Sequence, residues 1–292
     1  MFSGSLVAIV TPMHVDGGLD LPAWARLIDF HLENGTSGIV VGGTTGESAT
    51  LSEAELQELT ERACAQSRGR IQIIAGAGTS STATTVERVR RISRLPVDGV
   101  LIVTPAYNRP SQEGLFRHYE AAAAASRVPV IAYNVPSRTA VDMLPATVGR
   151  IAQLPRVAAV KEAVPSVERV REILSLVPAT FSVLSGDDAT ARQTVMAGAR
   201  GVISVTANVA PRTMADMIAA ALRGDAAAAQ ALDARLAPLH EVLFLEANPI
   251  PAKWALARMG LIGAGLRLPL TELAEQFRPE VERALRQAGV LQ

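Results

Sequence analysis

A (β/α)8 TIM barrel with a C-terminal helical extension is the fold this sequence predicts. Three observations point to it: eight short apolar runs of strand type, a helical pattern after each, and the loss of strand signals after about residue 224. The runs are SLVAIVT (5–11), GIVVGG (38–43), IQIIAG (71–76), GVLIVT (99–104), PVIAYN (129–134), VAAVKEA (157–163), FSVLSG (181–186) and GVISVT (201–206), and their starts lie about 20 to 33 residues apart. That interval accommodates a strand, a crossover helix and two loops. The runs are almost continuously apolar rather than alternating, as strands covered on both faces require. Eight such units can close without leaving an edge, whereas a doubly wound open sheet usually stops near about six.

The intervening segments carry helix starts. Ser52-Glu53-Ala54-Glu55 fits a capping box, in which the serine oxygen accepts an orphan amide and the glutamate reaches back to the cap. Pro22 suits a first helical position after Asp20, where its missing N–H costs nothing. Ser111, Ser166 and Asp188 can begin later helices, and Pro211 fits near the start of another. Residues 1–224 therefore form the expected barrel and residues 225–292 the extension, with helices expected over Asp225 to Glu246, Pro251 to Met259 and Thr271 to Ala288.

Composition narrows the function classes. With 292 residues, 49% hydrophobic and 19% charged, the chain can build one large core, and a disordered or fibrous reading fails. The 28 basic and 28 acidic residues cancel, and no basic stripe with interleaved aromatics is present, so nucleic acid and anionic membranes are poor partners. The single cysteine, Cys64, cannot form an intrachain disulfide and reads as a helix packing residue. There is no charged signal segment and no apolar run near the ~20 residues of a bilayer span, so the expected location is the cytoplasm.

Only two of the 28 basic residues are lysines, Lys161 and Lys253. Lys161 closes the sixth run, where a neutral amine sheltered at a barrel mouth can attack a ketone to form an imine. By position alone, capping a strand at the surface explains it as well. Lys253 reads as a solvated helix residue. Of the three tyrosines, Tyr107 and Tyr133 follow strands four and five, where a phenol can shuttle a proton. Alone, each also reads as a packing residue. Gly42-Gly43-Thr44-Thr45-Gly46-Glu47-Ser48 offers close backbone approach, amides and hydroxyls suited to a small carboxylate, and an ordinary glycine turn would look the same. It matches neither nucleotide fingerprint. Arg138 can grip a carboxylate through two parallel hydrogen bonds. Asp187-Asp188 fits a helix cap as well as a metal, and His14, His31, His118 and His240 lack ligand spacing, so no metal is expected.

In order along the whole chain, these pieces resemble the dihydrodipicolinate synthase / N-acetylneuraminate lyase family. The resemblance rests on Gly4-Ser5, Ala8-Ile9-Val10-Thr11-Pro12, Gly43 to Ser48, Tyr107-Asn108-Arg109-Pro110, Tyr133-Asn134-Val135-Pro136-Ser137-Arg138, Lys161-Glu162-Ala163 and Gly201 to Asn208. It implies a class I aldolase-like lyase in which Lys161 forms an imine with pyruvate. The derived enamine would attack L-aspartate 4-semialdehyde and yield 4-hydroxy-tetrahydrodipicolinate, on the diaminopimelate route to L-lysine. It further implies that Tyr133, Thr44 and Tyr107 relay protons, with Tyr107 entering from a neighbouring subunit of a homotetramer built from tight dimers. Thr45, with the backbones of Gly186 and Ile203, would hold the pyruvate carboxylate, and Arg138 that of the aldehyde. No cofactor beyond the covalent imine is implied.

Two departures from the family pattern stand out. Val164-Pro165 follows Lys161-Glu162-Ala163 where relatives carry a small polar residue and glycine, so a repositioned loop is expected. Glu53, Leu56, Ser80, Thr84 and Ala106 occupy the places of an L-lysine inhibitor cleft, beside retained Ser48 and Ala49, so feedback inhibition is expected to be weak or absent. Two competing readings remain: a pyruvate-dependent lyase for a sugar acid such as N-acetylneuraminate or a 2-keto-3-deoxy acid, and a noncatalytic barrel serving assembly or regulation.

Overall fold

The computed structural model describes residues 1–291. Its eight strands are β1 (Gly4–Ala8), β2 (Gly38–Val41), β3 (Gln72–Gly76), β4 (Gly99–Val103), β5 (Val130–Asn134), β6 (Val157–Glu162), β7 (Ser182–Ser185) and β8 (Gly201–Ser204). All pair in parallel and in sequence order, and β8 returns to β1 to close the barrel. Helices α1 (Leu21–Glu33), α2 (Glu53–Ser67), α3 (Thr82–Ile92) and α4 (Gln112–Ala125) follow the first four strands. A short α5 (Pro136–Thr139) and then α6 (Pro145–Ile151) follow β5; α7 (Val167–Leu176), α8 (Ala191–Met196) and α9 (Pro211–Leu222) complete the ring.

Two apolar layers follow from strand alternation. Leu6, Val40, Ile74, Leu101, Ile131, Ala159, Leu184 and Ile203 meet inside the barrel, and Phe2 packs among them. The outward residues Val7, Ile39, Ile73, Val100, Val160 and Val202 pack in a second cluster with Trp24, Leu59, Val89, Tyr119, Ile173 and Met217 of the helices. Cys64 sits half-buried in α2, where desolvation pushes its thiol up to about 11, so the thiolate is scarce at neutral pH.

Helix starts follow the local chemistry. Asp20 accepts from the Ala23 amide at 2.9 Å, and Ser52 and Glu55 form the reciprocal box at 3.2 and 2.8 Å. Ser111 and Ser166 cap α4 and α7. Asp188 departs from expectation. The helix after β7 begins at Ala191, and the Asp188 carboxylate instead accepts the Val205 and Thr206 amides at 2.9 and 2.8 Å, tying the loop after β8 to that after β7. Asp187 serves the local turn, accepting from the Thr190 amide and hydroxyl.

Beyond residue 224 lie α10 (Ala226–Val242), α11 (Ile250–Arg258) and α12 (Arg278–Gln287). The last is shorter than expected: Thr271–Ala274 is not helical, and a 3-10 turn over Glu275–Phe277 leads into α12. Pro279, which lacks an N–H, sits in the first turn, where that loss is harmless. Helix α10 packs on α9 and α12, and Leu236, Leu239, Leu256 and Val281 join the same apolar cluster as the barrel helices. Among the described residues, no helix is long and apolar enough to cross a membrane.

Candidate active site

The geometry begins with a register shift. Val130 pairs with Val157, but Ile131 pairs with Ala159, leaving Ala158 as an extra residue on β6. A bulge of this kind re-aims the side chains beyond it. Val157 packs outward, whereas Ala159 lies inside the barrel, so Lys161, two residues further on, also faces in. On β5, Ile131 and Tyr133 face in, and Tyr133 stands opposite Lys161. The lysine Nζ lies 4.3 Å from the centre of the Tyr133 ring.

Lys161 is 5% exposed, so it is not a surface cap. Its amine forms no ion pair among the described residues; the adjacent Glu162 points outward and takes other partners. Gly186 leaves room beside it, since a Cβ there would lie 2.9 Å from Lys161 Cε and 2.8 Å from Ala163 Cβ.

Outside the barrel, a polar network locks the two strands that carry this pair. Asn134 Nδ2 donates to Glu162 at 3.1 and 3.2 Å and to Asp142 at 2.8 Å, while its Oδ1 accepts from the Met143 amide. Arg169 on α7 donates to Glu162 at 3.0 Å and to Asp142 at 2.7 Å. Desolvation raises the Glu162 pKa, and Arg169 and Asn134 act against that rise. Glu162 also accepts from the Val164 amide at 2.9 Å, which pins the Val164-Pro165 loop. That loop therefore bends outside the barrel and leaves Lys161 facing the interior.

The loop after β2 brings Thr44 to the same mouth. Gly42 has a left-handed backbone (φ 60°), and a Cβ on Gly76 would lie 2.1 Å from the Gly42 carbonyl, so both glycines are required for the loop to lie against β3. A cavity of about 30 Å³, lined by Gly43, Thr44, Ser48, Leu101, Val103 and Tyr133 among others, has room for about two waters. Thr44 and Tyr133 thus share one cavity. The amides of Thr44 and Thr45 donate to no group among the described residues, so two N–H donors remain in this glycine-rich turn.

Thr45 is buried, and its Oγ1 accepts from Asn248 Nδ2 at 2.9 Å. The Asn248 carbonyl in turn accepts from Arg138 at 3.4 Å, so one residue of the C-terminal segment touches both expected carboxylate contacts. Arg138 is exposed on α5 and forms no ion pair among the described residues. The Gly186 amide is already spent, donating to the Glu162 carbonyl at 2.7 Å, so it cannot also donate to a carboxylate. Ile203 lies in β8, with its side chain in the barrel interior.

Tyr107 lies apart from this cluster. It is 93% exposed on the loop after β4, where Tyr107 (φ 73°) and Arg109 (φ 47°) both take left-handed conformations that side chains disfavour. Lys253 also departs from expectation: it is 1% exposed, and its Nζ meets Glu47 Oε1 at 2.5 Å. Its partner lies 206 positions away, beyond any i, i+4 pattern of α11.

A buried lysine thus faces a tyrosine at the carboxyl end of a closed barrel. The Dihydrodipicolinate synthetase family model matches residues 1–288.

The chain belongs to the dihydrodipicolinate synthetase family.

Within that family, the 4-hydroxy-tetrahydrodipicolinate synthase of Methylococcus capsulatus is 54% identical over 291 residues, covering 100% of both chains. The crystal structure of a chloride-inhibited dihydrodipicolinate synthase from Acinetobacter baumannii complexed with pyruvate superposes with a TM-score of 0.98 at 45% identity, over 100% of both chains. The dihydrodipicolinate synthase of Cyanidioschyzon merolae with lysine bound matches with a TM-score of 0.96 at 35% identity, over 99% of both chains.

Proposed function

We propose that this chain condenses pyruvate with L-aspartate 4-semialdehyde to form 4-hydroxy-tetrahydrodipicolinate through an imine on Lys161. The observation that carries the reading is the Lys161 amine, inside the barrel and 4.3 Å from the Tyr133 ring, in a chain of this family.

In the proposed reaction, the neutral amine of Lys161 adds to the ketone carbon of pyruvate, and the carbinolamine loses water to give an imine. Loss of a methyl proton gives the enamine, whose carbon attacks the aldehyde carbon while the new alkoxide takes a proton. The substrate amine then adds to the imine carbon, displaces Lys161 and closes the ring, so one water is released overall. Tyr133 and Thr44 pass the protons, and Tyr107 of a second copy completes the relay in a homotetramer built from tight dimers. The exposed, backbone-strained position of Tyr107 supports a role between chains. The imine nitrogen is the electron sink, so no further cofactor is needed. The cytoplasm is the proposed location.

Thr45 and the free amides of its turn hold the pyruvate carboxylate, with Gly186 providing room for Lys161 and Ile203 forming the wall. Arg138 holds the second carboxylate, which favours a short acidic aldehyde over the long polyol of a sugar acid. Arg138→Ala is accordingly expected to raise KM for aspartate semialdehyde by about 10- to 100-fold, the worth of charged hydrogen bonds, while pyruvate KM changes little. Steady-state assays with the semialdehyde and with N-acetylneuraminate or 2-keto-3-deoxy acids test the assignment; cleavage of the sugar acids with no condensation would reverse it.

L-Lysine is expected to inhibit weakly or not at all. At the place of the inhibitor cleft, Glu53 is held by Arg88 at 2.8 Å and by Arg91, and Leu56 packs over Gly42. A carboxylate already paired with two guanidiniums is a poor partner for an incoming ammonium. Titration with millimolar L-lysine checks this, and strong cooperative inhibition would overturn it.

A further inference from the structure

We infer that the buried Lys253–Glu47 ion pair is a positioning device for the pyruvate-carboxylate loop, so that Lys253 acts on the reaction from the C-terminal segment without touching substrate. The inference rests on the functional reading above.

Glu47 is 3% exposed and Lys253 1% exposed, and their 2.5 Å contact joins the loop after β2 to α11. Desolvation lowers the Lys253 pKa, and the Glu47 carboxylate opposes that fall. Burying two charges is expensive, and well-packed apolar side chains often stabilise a fold as well or better. A buried pair is better suited to fixing one geometry among several, and this loop has a geometry that needs fixing.

Glu47 has a left-handed backbone (φ 56°) that its side chain disfavours. Its second oxygen accepts from the Arg267 amide at 3.2 Å, so the carboxylate is held from two points of the C-terminal segment. Two residues earlier, Thr45 Oγ1 accepts from Asn248. These ties hold the turn in which the Thr44 and Thr45 amides stay free for an anion. A relaxed Glu47 would let the turn rotate and disperse those donors, weakening pyruvate first. The aldehyde contact on Arg138 lies on a different element.

Glu47→Gln, Lys253→Met and the double variant E47Q/K253M separate positioning from stability. Each would be studied by circular dichroism, thermal unfolding, steady-state kinetics in both substrates, and borohydride trapping with pyruvate. The double variant leaves no unpaired buried charge, so its melting temperature should stay near or above that of Lys253→Met. Its pyruvate KM should nevertheless rise about tenfold, as expected of a misplaced contact, with aspartate semialdehyde KM within about threefold of wild type. Trapping at saturating pyruvate should still mark Lys161. A folded double variant with wild-type pyruvate KM overturns the inference, as do equal rises in both KM values. Unfolding of all three variants assigns the pair to fold stability and overturns it too. If the wild-type chain forms no pyruvate adduct, the functional reading fails first.

Discussion

Lys161→Ala is expected to lower kcat/KM for the condensation by on the order of 10³-fold or more while leaving the fold intact, because it removes the group on which the proposed covalent intermediate is built. The change deletes a side chain that makes no ion pair among the described residues, so no buried counter-charge is left behind. Nor can the other lysine substitute for it. Lys253 is sealed against Glu47 in the C-terminal segment. Steady-state rates with both substrates, beside a circular dichroism spectrum and melting curve, check the result. A folded variant with rates within tenfold of wild type would mean that the reaction does not pass through this amine.

Tyr133→Phe should be the next most damaging single change, with kcat down about 10²- to 10³-fold, within the range for a lost general acid–base group. It preserves the ring beside Lys161 and removes only the hydroxyl. Pyruvate KM should therefore move little, and the adduct should still form, more slowly. Single-turnover measurement of imine formation distinguishes this outcome from a packing role. If the phenol only fills space, both rates would remain near wild type, and the proton relay would need another member.

The strands were legible because a parallel barrel imposes nearly continuous apolar runs: seven of the eight runs contain the observed strand, and β1 begins one residue before its run, at Gly4. Helix starts at Asp20, Ser52, Ser111 and Ser166 were legible because each cap is a local contact within three residues. Asp188 was misread for the same reason: its amide partners lie at Val205 and Thr206, beyond any local pattern. Lys253 was misread as solvated because its partner lies on the far side of the sequence.

The site was only partly open to sequence reasoning. Lys161 and Tyr133 could be named from their places at strand ends, but neither alternation nor spacing announces the extra residue Ala158 that turns β6 so that the two face each other. Asn248 carries no local signal of a contact, because its partners lie far away in the sequence. Its side chain and carbonyl reach Thr45 and Arg138, two elements brought together only by barrel closure. Tyr107 follows the same logic at the next level: it is exposed on its own chain, and its proposed role needs a second copy that no pattern within one sequence displays.

Borohydride reduction in the presence of pyruvate, followed by peptide mass analysis, tests the central claim most directly, and a chain with only two lysines makes the outcome easy to assign. A stable pyruvate-derived adduct on the Lys161 peptide, absent without pyruvate and absent from the Lys253 peptide, is the predicted result. Well-folded protein that remains unmodified at Lys161, or carries its adduct on Lys253 instead, would contradict it.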